Sequence, residues 1–168
     1  MAIIRELRGK TPKIGKNCFI AENAVIIGDV TIGDDCSIWY GVVLRGDVNT
    51  ITIGNRVNIQ DNASVHTLYE RSVTVIGDDV SVGHNAVVHG AKVGNDVLVG
   101  MGAILMDNAE IADGSIIAAG AVVLSNEKLE PGVYAGVPAK KVKDGSESVT
   151  AAAHKNAQGY MMYKEWYK

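Results

Sequence analysis

Phenylalanine occurs once in 168 residues, and aromatic side chains make up only 5% of the chain. The interior therefore has to be filled by isoleucine, valine and alanine, which suits a narrow, regular core. Cysteine occurs twice, at Cys18 and Cys36, too few for a disulfide framework, and the expectation is two buried, inert thiols. An excess of positive charge is also missing. A net charge of −3 and an isoelectric point near 5.8 exclude a broad surface for nucleic acid or acidic lipid. No long apolar run is present: the richest, Ile116 to Leu124, is far too short to span a bilayer. The opening residues Met1 to Glu6 lack the apolar stretch of a secretion signal. The expectation is a cytoplasmic protein of one domain, with no nucleic-acid or membrane partner.

Glycine, by contrast, is abundant, at 19 residues, and it belongs to a repeat. Aliphatic residues recur every sixth position at Ile14, Ile20, Ile26, Ile32, Ile38 and Leu44. They resume at Ile53, Ile59 and Val65, and again at Ile76, Val82 and Val88. Val93, Val99, Leu105, Ile111, Ile117 and Val123 complete the series. Four residues after most of these starts stands something small or β-branched, such as Cys18, Ala24, Cys36, Val42, Ala63 and Ala86. Between them lie corner-forming pieces such as Gly33-Asp34-Asp35 and Gly77-Asp78-Asp79. A six-residue period fits neither an amphipathic helix nor an alternating strand. It fits a parallel β-helix of hexapeptides, three to a coil. Eighteen starts give about six coils and, at about 4.8 Å per coil, a prism on the order of 29 Å long.

Residues 1–13 are expected to cap the open end of the prism. Glu127 to Gly132 is expected to break the period and leave it. The prism with its cap is assigned to residues 1–145. In 146–168, Val149, Ala153, Ala157, Tyr160 and Met161 recur at helical spacing after Ser146 or Ser148 as N-cap. This predicts one helix packed back along a prism face. His154 on it reads as an ordinary surface histidine.

The other three histidines fall between residues 59 and 90. Every third hexapeptide lands on the same face, so Leu44, Val65, Val88 and Leu105 form one column. His66 and His89 each follow such a start by one position. They therefore project outward from adjacent coils, about 4.8 Å apart along the axis. That separation lets two imidazoles share one metal ion at roughly 2.0–2.1 Å. His84 belongs to the preceding face, across a corner. If three chains pack face to face around a threefold axis, His84 of one can meet His66 and His89 of the next, and such a homotrimer would carry three equivalent metal sites at its interfaces. Three histidines with one open position describe a catalytic rather than a structural zinc site.

With Arg45-Gly46-Asp47, Asn58-Ile59-Gln60-Asp61-Asn62, Val65-His66-Thr67, Gly83-His84-Asn85, His89-Gly90 and Tyr160 on the last helix, the chain resembles the gamma-class carbonic anhydrases of the hexapeptide-repeat superfamily. The resemblance implies a left-handed β-helix, a trimer, and zinc, with Fe2+ or Co2+ as alternatives. It implies that His66 and His89 bind the metal from one subunit and His84 from the next. Gln60 would orient the metal-bound water, Arg45 and Asp61 would pair across the interface supported by Asp47, and Tyr160 would line the pocket. The implied activity is reversible hydration of carbon dioxide to bicarbonate by hydroxide made at the metal. Val48 stands where the family has a shuttle glutamate after Arg-x-Asp, and only Glu70 remains in the loop after His66. Two other readings stay open: a coenzyme A-dependent acyltransferase, favoured by the tail Gly136-Val137-Pro138-Ala139-Lys140, and a catalytically weak trimeric metal-binding protein.

Overall fold

A computed structural model describes residues 1–167 of the chain. Each hexapeptide supplies a short strand and a corner, and successive strands turn onto three faces. The first face stacks Phe19–Ile20, Ser37–Ile38, Asn58–Ile59, Ser81–Val82, Leu98–Val99, Ile116–Ile117 and Gly132–Ala135 in parallel. The second carries Ser64–His66, Val87–His89, Ile104–Leu105 and Val122–Val123 above the starts of Val25–Ile32 and Val43–Ile53. Those two longer strands bend over a corner and continue on the third face, which ends at Lys128–Leu129. The result is a parallel β-solenoid.

The corners follow from side-chain chemistry. Asn17, Asp35, Arg56, Asp79 and Asp96 have positive φ near +55° to +61° or slightly below, and Asn and Asp accept that region more readily than other non-glycine residues. One residue earlier, the same edge is stitched from coil to coil. Asp34 Oδ1 accepts from Lys16 N at 2.7 Å, Asn55 Oδ1 from Asp34 N at 2.9 Å, and Asp78 Oδ1 from Asn55 N at 2.7 Å. Asn95 and Asp113 continue the series. Each side chain thus satisfies a backbone N–H that the turn leaves without a ladder partner.

The interior is aliphatic: Ile26, Leu44, Val65, Val88, Leu105 and Val123 form one fully buried column. Because such a core is close-packed, Leu105→Ala is expected to cost about 2–5 kcal/mol. Chemical denaturation of the variant would show this as a lower midpoint at nearly unchanged slope.

The prism is longer at both ends than the repeat suggests. Ile3–Arg5 pairs in parallel with Val25–Ile27 as an added rung. Lys128–Leu129 and Gly132–Ala135 also stay on the prism, so residues 127–132 do not leave it. Leu129 in fact keeps the six-residue step from Val123. The charged Glu127 at the usually small position, and Pro131, hide that continuity in the sequence. Lys140–Asp144 then closes the first face as an antiparallel hairpin strand.

Helix α1 (Glu147–Tyr163) is capped by the Ser146 side chain, which accepts from Val149 N. It buries Val149, Ala153 and Ala157 and runs along the first face. Asp96 holds His154 Nδ1 at 2.7 Å, so this histidine latches the helix to the prism. Arg56 grips Asp79 with two hydrogen bonds, and Gln158 reaches the same carboxylate at 3.2 Å. Past the helix, Lys164 is 1% exposed and donates to the carbonyls of Asn17 and Asp35 at 2.8 and 3.1 Å. Among the described residues no helix is long and apolar enough to cross a membrane.

Lys164 also bears on the thiols. Hydrogen bonding with Cys36 lowers the Cys18 thiol to about 7 against the opposing effect of burial, and Lys164 adds to the lowering. The same contact, with burial, drives the Cys36 thiol far up. Cys18 thus departs from the expectation of two inert thiols. Iodoacetamide is expected to modify Cys18 with a midpoint close to pH 7 and to leave Cys36 untouched in the folded protein, as read by mass spectrometry.

Candidate metal centre

His66 and His89 end neighbouring strands of the second face and are direct partners in the parallel ladder. Their backbones are locked together. Gly90 N donates to His66 O at 3.0 Å, and the buried Thr74 hydroxyl donates to the same carbonyl at 2.7 Å. Gly90 itself needs its positive φ of 62°, and a Cβ there would strike Ser72 Oγ and Asp107 Oδ1.

Each imidazole is fixed by a carboxylate. Asp47 Oδ1 takes His66 Nε2 at 2.9 Å, and Asp107 Oδ1 takes His89 Nδ1 at 3.0 Å. Asp47 is held in turn by Arg45, and Asp107 by the Ser72 hydroxyl at 2.7 Å. Burial pushes the Asp47 carboxyl up, but hydrogen bonds from His66 and Arg45 more than offset this and leave it below its ordinary value.

These contacts fix the tautomers. A ring nitrogen facing a carboxylate carries the proton, so the other nitrogen of a neutral imidazole carries a lone pair. The two remaining nitrogens, His66 Nδ1 and His89 Nε2, face each other at 3.0 Å. Two lone pairs at that distance repel unless a cation lies between them. A shared proton serves one bond; a metal ion serves both and leaves further positions open. Two nitrogens on a tetrahedral ion stand roughly 3.3 Å apart at Zn–N distances of about 2.05 Å, so a small opening of the pair admits one.

His84 has the same design on the first face. Asp61 Oδ2 holds its Nδ1 at 2.9 Å, and Nε2 meets the Tyr160 hydroxyl at 3.5 Å, the limit of a hydrogen bond. A carboxylate behind each imidazole is the arrangement that sets ligand tautomer and basicity in metal sites. His84 does not join the pair within one chain. Among the described residues, the metal-capable group gathered within 4.8 Å is Asp79, Asp96 and His154, where Arg56 already neutralises Asp79.

The other expected site residues divide between the two clusters. Gln60 is buried and donates to Asn58 Oδ1 at 2.9 Å. It lines a cavity of about 380 Å³ with His84 and Tyr160. Arg45 is held by Asp47 and Asp61 by His84, and among the described residues of one chain the two are not paired with each other. Glu70 is exposed and shares a groove with Asp47 and Val48. Sequence reasoning missed Asp107 and Ser72. Asp107 follows His89 by one coil of 18 residues, a step the repeat itself offers. Ser72 sits in the irregular loop and carried no signal.

The solenoid defines the chain as a hexapeptide-repeat protein. The family model described as bacterial transferase hexapeptide (six repeats) matches residues 11–46 and 90–125, and the hexapeptide repeat of succinyl-transferase matches 73–106. Within that class the chain belongs to the gamma carbonic anhydrase family. It is 41% identical to a carbonic anhydrase of Geobacillus kaustophilus over 99% of this chain and 91% of that protein. It is 44% identical to the mitochondrial gamma carbonic anhydrase 2 of Arabidopsis thaliana over 90% of this chain. The chain spans only 57% of the length of that plant relative. A crystal structure of a putative acetyltransferase from Bacillus cereus superposes with a TM-score of 0.94 at 35% identity, covering 98% of this chain and 96% of that one.

Proposed function

We propose that the protein is a homotrimeric, zinc-dependent carbonic anhydrase that interconverts carbon dioxide and bicarbonate. The carrying observation is the pair of ring nitrogens, His66 Nδ1 and His89 Nε2, that face each other at 3.0 Å while the other nitrogen of each ring meets its own carboxylate. These two residues would hold the ion with His84 of a neighbouring subunit, and Fe2+ or Co2+ would fit the same donors. A divalent ion supplies acidity there, bringing the pKa of a bound water to about 7. Asp47, Asp107 and Asp61 keep the imidazoles in their donor tautomers. Gln60, its amide anchored on Asn58, orients the reacting water, and Tyr160 walls the site on the helix side. Glu70, on its exposed loop beside Asp47, is the nearest candidate to carry the proton out.

The second face supports assembly around these residues. Above His66 and His89, the same face exposes Ile104, Met106 and Leu124 at 37%, 36% and 42%. An apolar strip continuous with a half-built metal site suits a subunit interface. Asp61 would there exchange or share its partner with Arg45 of the next chain. A cytoplasmic location fits the two free thiols.

The test is metal content and stopped-flow hydration rate on one preparation of known mass. About one ion per chain in a trimer, with hydration that a chelator removes, supports the reading. A metal-free protein that instead transfers acetyl groups from acetyl-coenzyme A overturns it.

A further inference from the structure

Valine fills one interior position along the corner between the third and first faces. Val57, Val80 and Val97 stand there, each four residues after the repeat starts Ile53, Ile76 and Val93. In the first two coils the same position is taken by Cys18 and Cys36. The register stacks them. Phe19–Ile20 pairs with Ser37–Ile38, Phe19 N donates to Cys36 O at 2.9 Å, and Asp35 N donates to Lys16 O at 2.9 Å. Ladder neighbours stand about 4.8 Å apart, inside the Cα separation of about 4.4–6.8 Å that a disulfide spans. Cys18 Sγ reaches up to Gly33 O at 3.2 Å, in the coil that carries Cys36. The two thiols are hydrogen-bonded to each other.

The surroundings of this pair differ from those of the valines above it. Lys164, 1% exposed, sets its ammonium beside both rungs. It donates to Asn17 O at 2.8 Å and Asp35 O at 3.1 Å, the carbonyls directly before the two cysteines, and to Asp35 Oδ1 at 3.3 Å. Three donors so engaged are the full set of a charged lysine. Its charge favours thiolate at Cys18, against burial and the nearby Asp34. Packing alone calls for none of this, because a small apolar filler satisfies the corner at Val57 and Val80. Cys18 is partly exposed, whereas Cys36 is buried. The outer thiol is the one a reagent meets, and the inner one waits behind it. That is the division between an attacking thiol and a resolving one.

We propose that Cys18 and Cys36 form a reversible oxidation site for a peroxide, with Cys18 as nucleophile and Cys36 as resolving thiol. Cys18 thiolate attacks one oxygen of hydrogen peroxide, the O–O bond breaks and hydroxide leaves. The sulfur is oxidised to a sulfenic acid and the peroxide is reduced. Cys36 sulfur then displaces the hydroxyl group from that sulfenic acid, and the Cys36 thiol proton leaves with it as water. Two thiols and one peroxide give one disulfide and two waters. Closing the bond turns Cys36 Sγ away from Gly54 O, on which it rests at 3.1 Å. It also draws together side chains that a parallel ladder holds somewhat wider than the usual Cβ spacing of about 3.5–4.5 Å, which leaves the bond easy to reduce. The product ties the first two coils together beneath the tail that Lys164 anchors. The pair lies in lower coils than His66, His84 and His89, and the proposal does not rest on the metal reading.

One peptide reports the outcome. No lysine or arginine lies between Asn17 and Arg45, so trypsin leaves both cysteines on a single fragment. The full-length assembly is treated with one equivalent of hydrogen peroxide per chain, blocked with iodoacetamide in denaturant, digested, and read by mass spectrometry with and without dithiothreitol. The fragment is expected to lose two hydrogen atoms, to take up no iodoacetamide, and to return to the dithiol on reduction. In Cys36→Ser, dimedone is expected to label Cys18 at least about tenfold more than in the unaltered protein, because the sulfenic acid meets no second thiol. In Cys18→Ser, Cys36 is expected to remain a thiol. An unreacted Cys18, a bond joining two chains in place of the internal one, or over-oxidised Cys18 beside an intact Cys36 thiol overturns the proposal. The unaltered protein alone decides among these, so the test survives a variant that fails to fold. Metal content and hydration rate report on other residues and stand or fall separately.

Discussion

Co-expressed His84→Ala and His89→Ala chains, each inactive alone, are expected to regain about one working site in four when mixed equally in a closed threefold assembly. The expectation follows from where the side chains lie. His66 and His89 share one face, and His84 stands across a corner with its own carboxylate. A site made of His84 from one chain and the pair from the next is intact only when the first chain carries the His89 substitution and the second the His84 substitution. Random placement gives that combination in one interface of four. Hydration measured on the unfractionated mixture checks it, and purified heterotrimers alone are expected to show about one site in three. If the site were built within one chain, no mixture would recover anything.

His89→Ala by itself is expected to lower hydration by far more than 100-fold and to remove most of the metal. Loss of an outer partner, as in Asp107→Asn, costs only about 10–100-fold in affinity or activity. The difference between the two variants is what separates a ligand from its support. His89→Ala removes one of the two nitrogens that face each other at 3.0 Å, whereas Asp107→Asn keeps that nitrogen and weakens the hold on its tautomer. Equal losses in both variants, with metal content intact, would mean that the pair merely shares a proton. Atomic emission analysis beside stopped-flow rates makes the comparison on the same protein.

The period of six exposed most of the prism in advance. The ladder pairs His66 with His89 as the register required, because in a solenoid a fixed repeat fixes which residues become neighbours. The ends were harder to see. Ile3–Arg5 is an isolated rung without a preceding repeat to announce it, and Glu127 and Pro131 masked the continuation through Leu129. Side-chain partners were legible only in part. Asp107 is one coil beyond His89, but no spacing rule tells that its carboxylate turns toward the imidazole. The aromatic cluster of Trp39, Tyr40, Tyr160, Tyr163, Trp166 and Tyr167 was invisible for a different reason: its members come from residues 39–40 and 160–167. Only the docking of α1 on the first face brings them together.

The stitched corner running from Lys16 N through Asp34, Asn55, Asp78 and Asn95 to Asp113 has an implication for how such a molecule changes length. Each storey along this stretch carries the same fastening, and each touches only the storeys above and below it. A complete extra storey, taken from one of the regular coils and spliced in above the histidines, would find ready-made attachments on both sides. The height of the protein is in this sense adjustable in whole steps, while the chemistry stays on the floors where it was built.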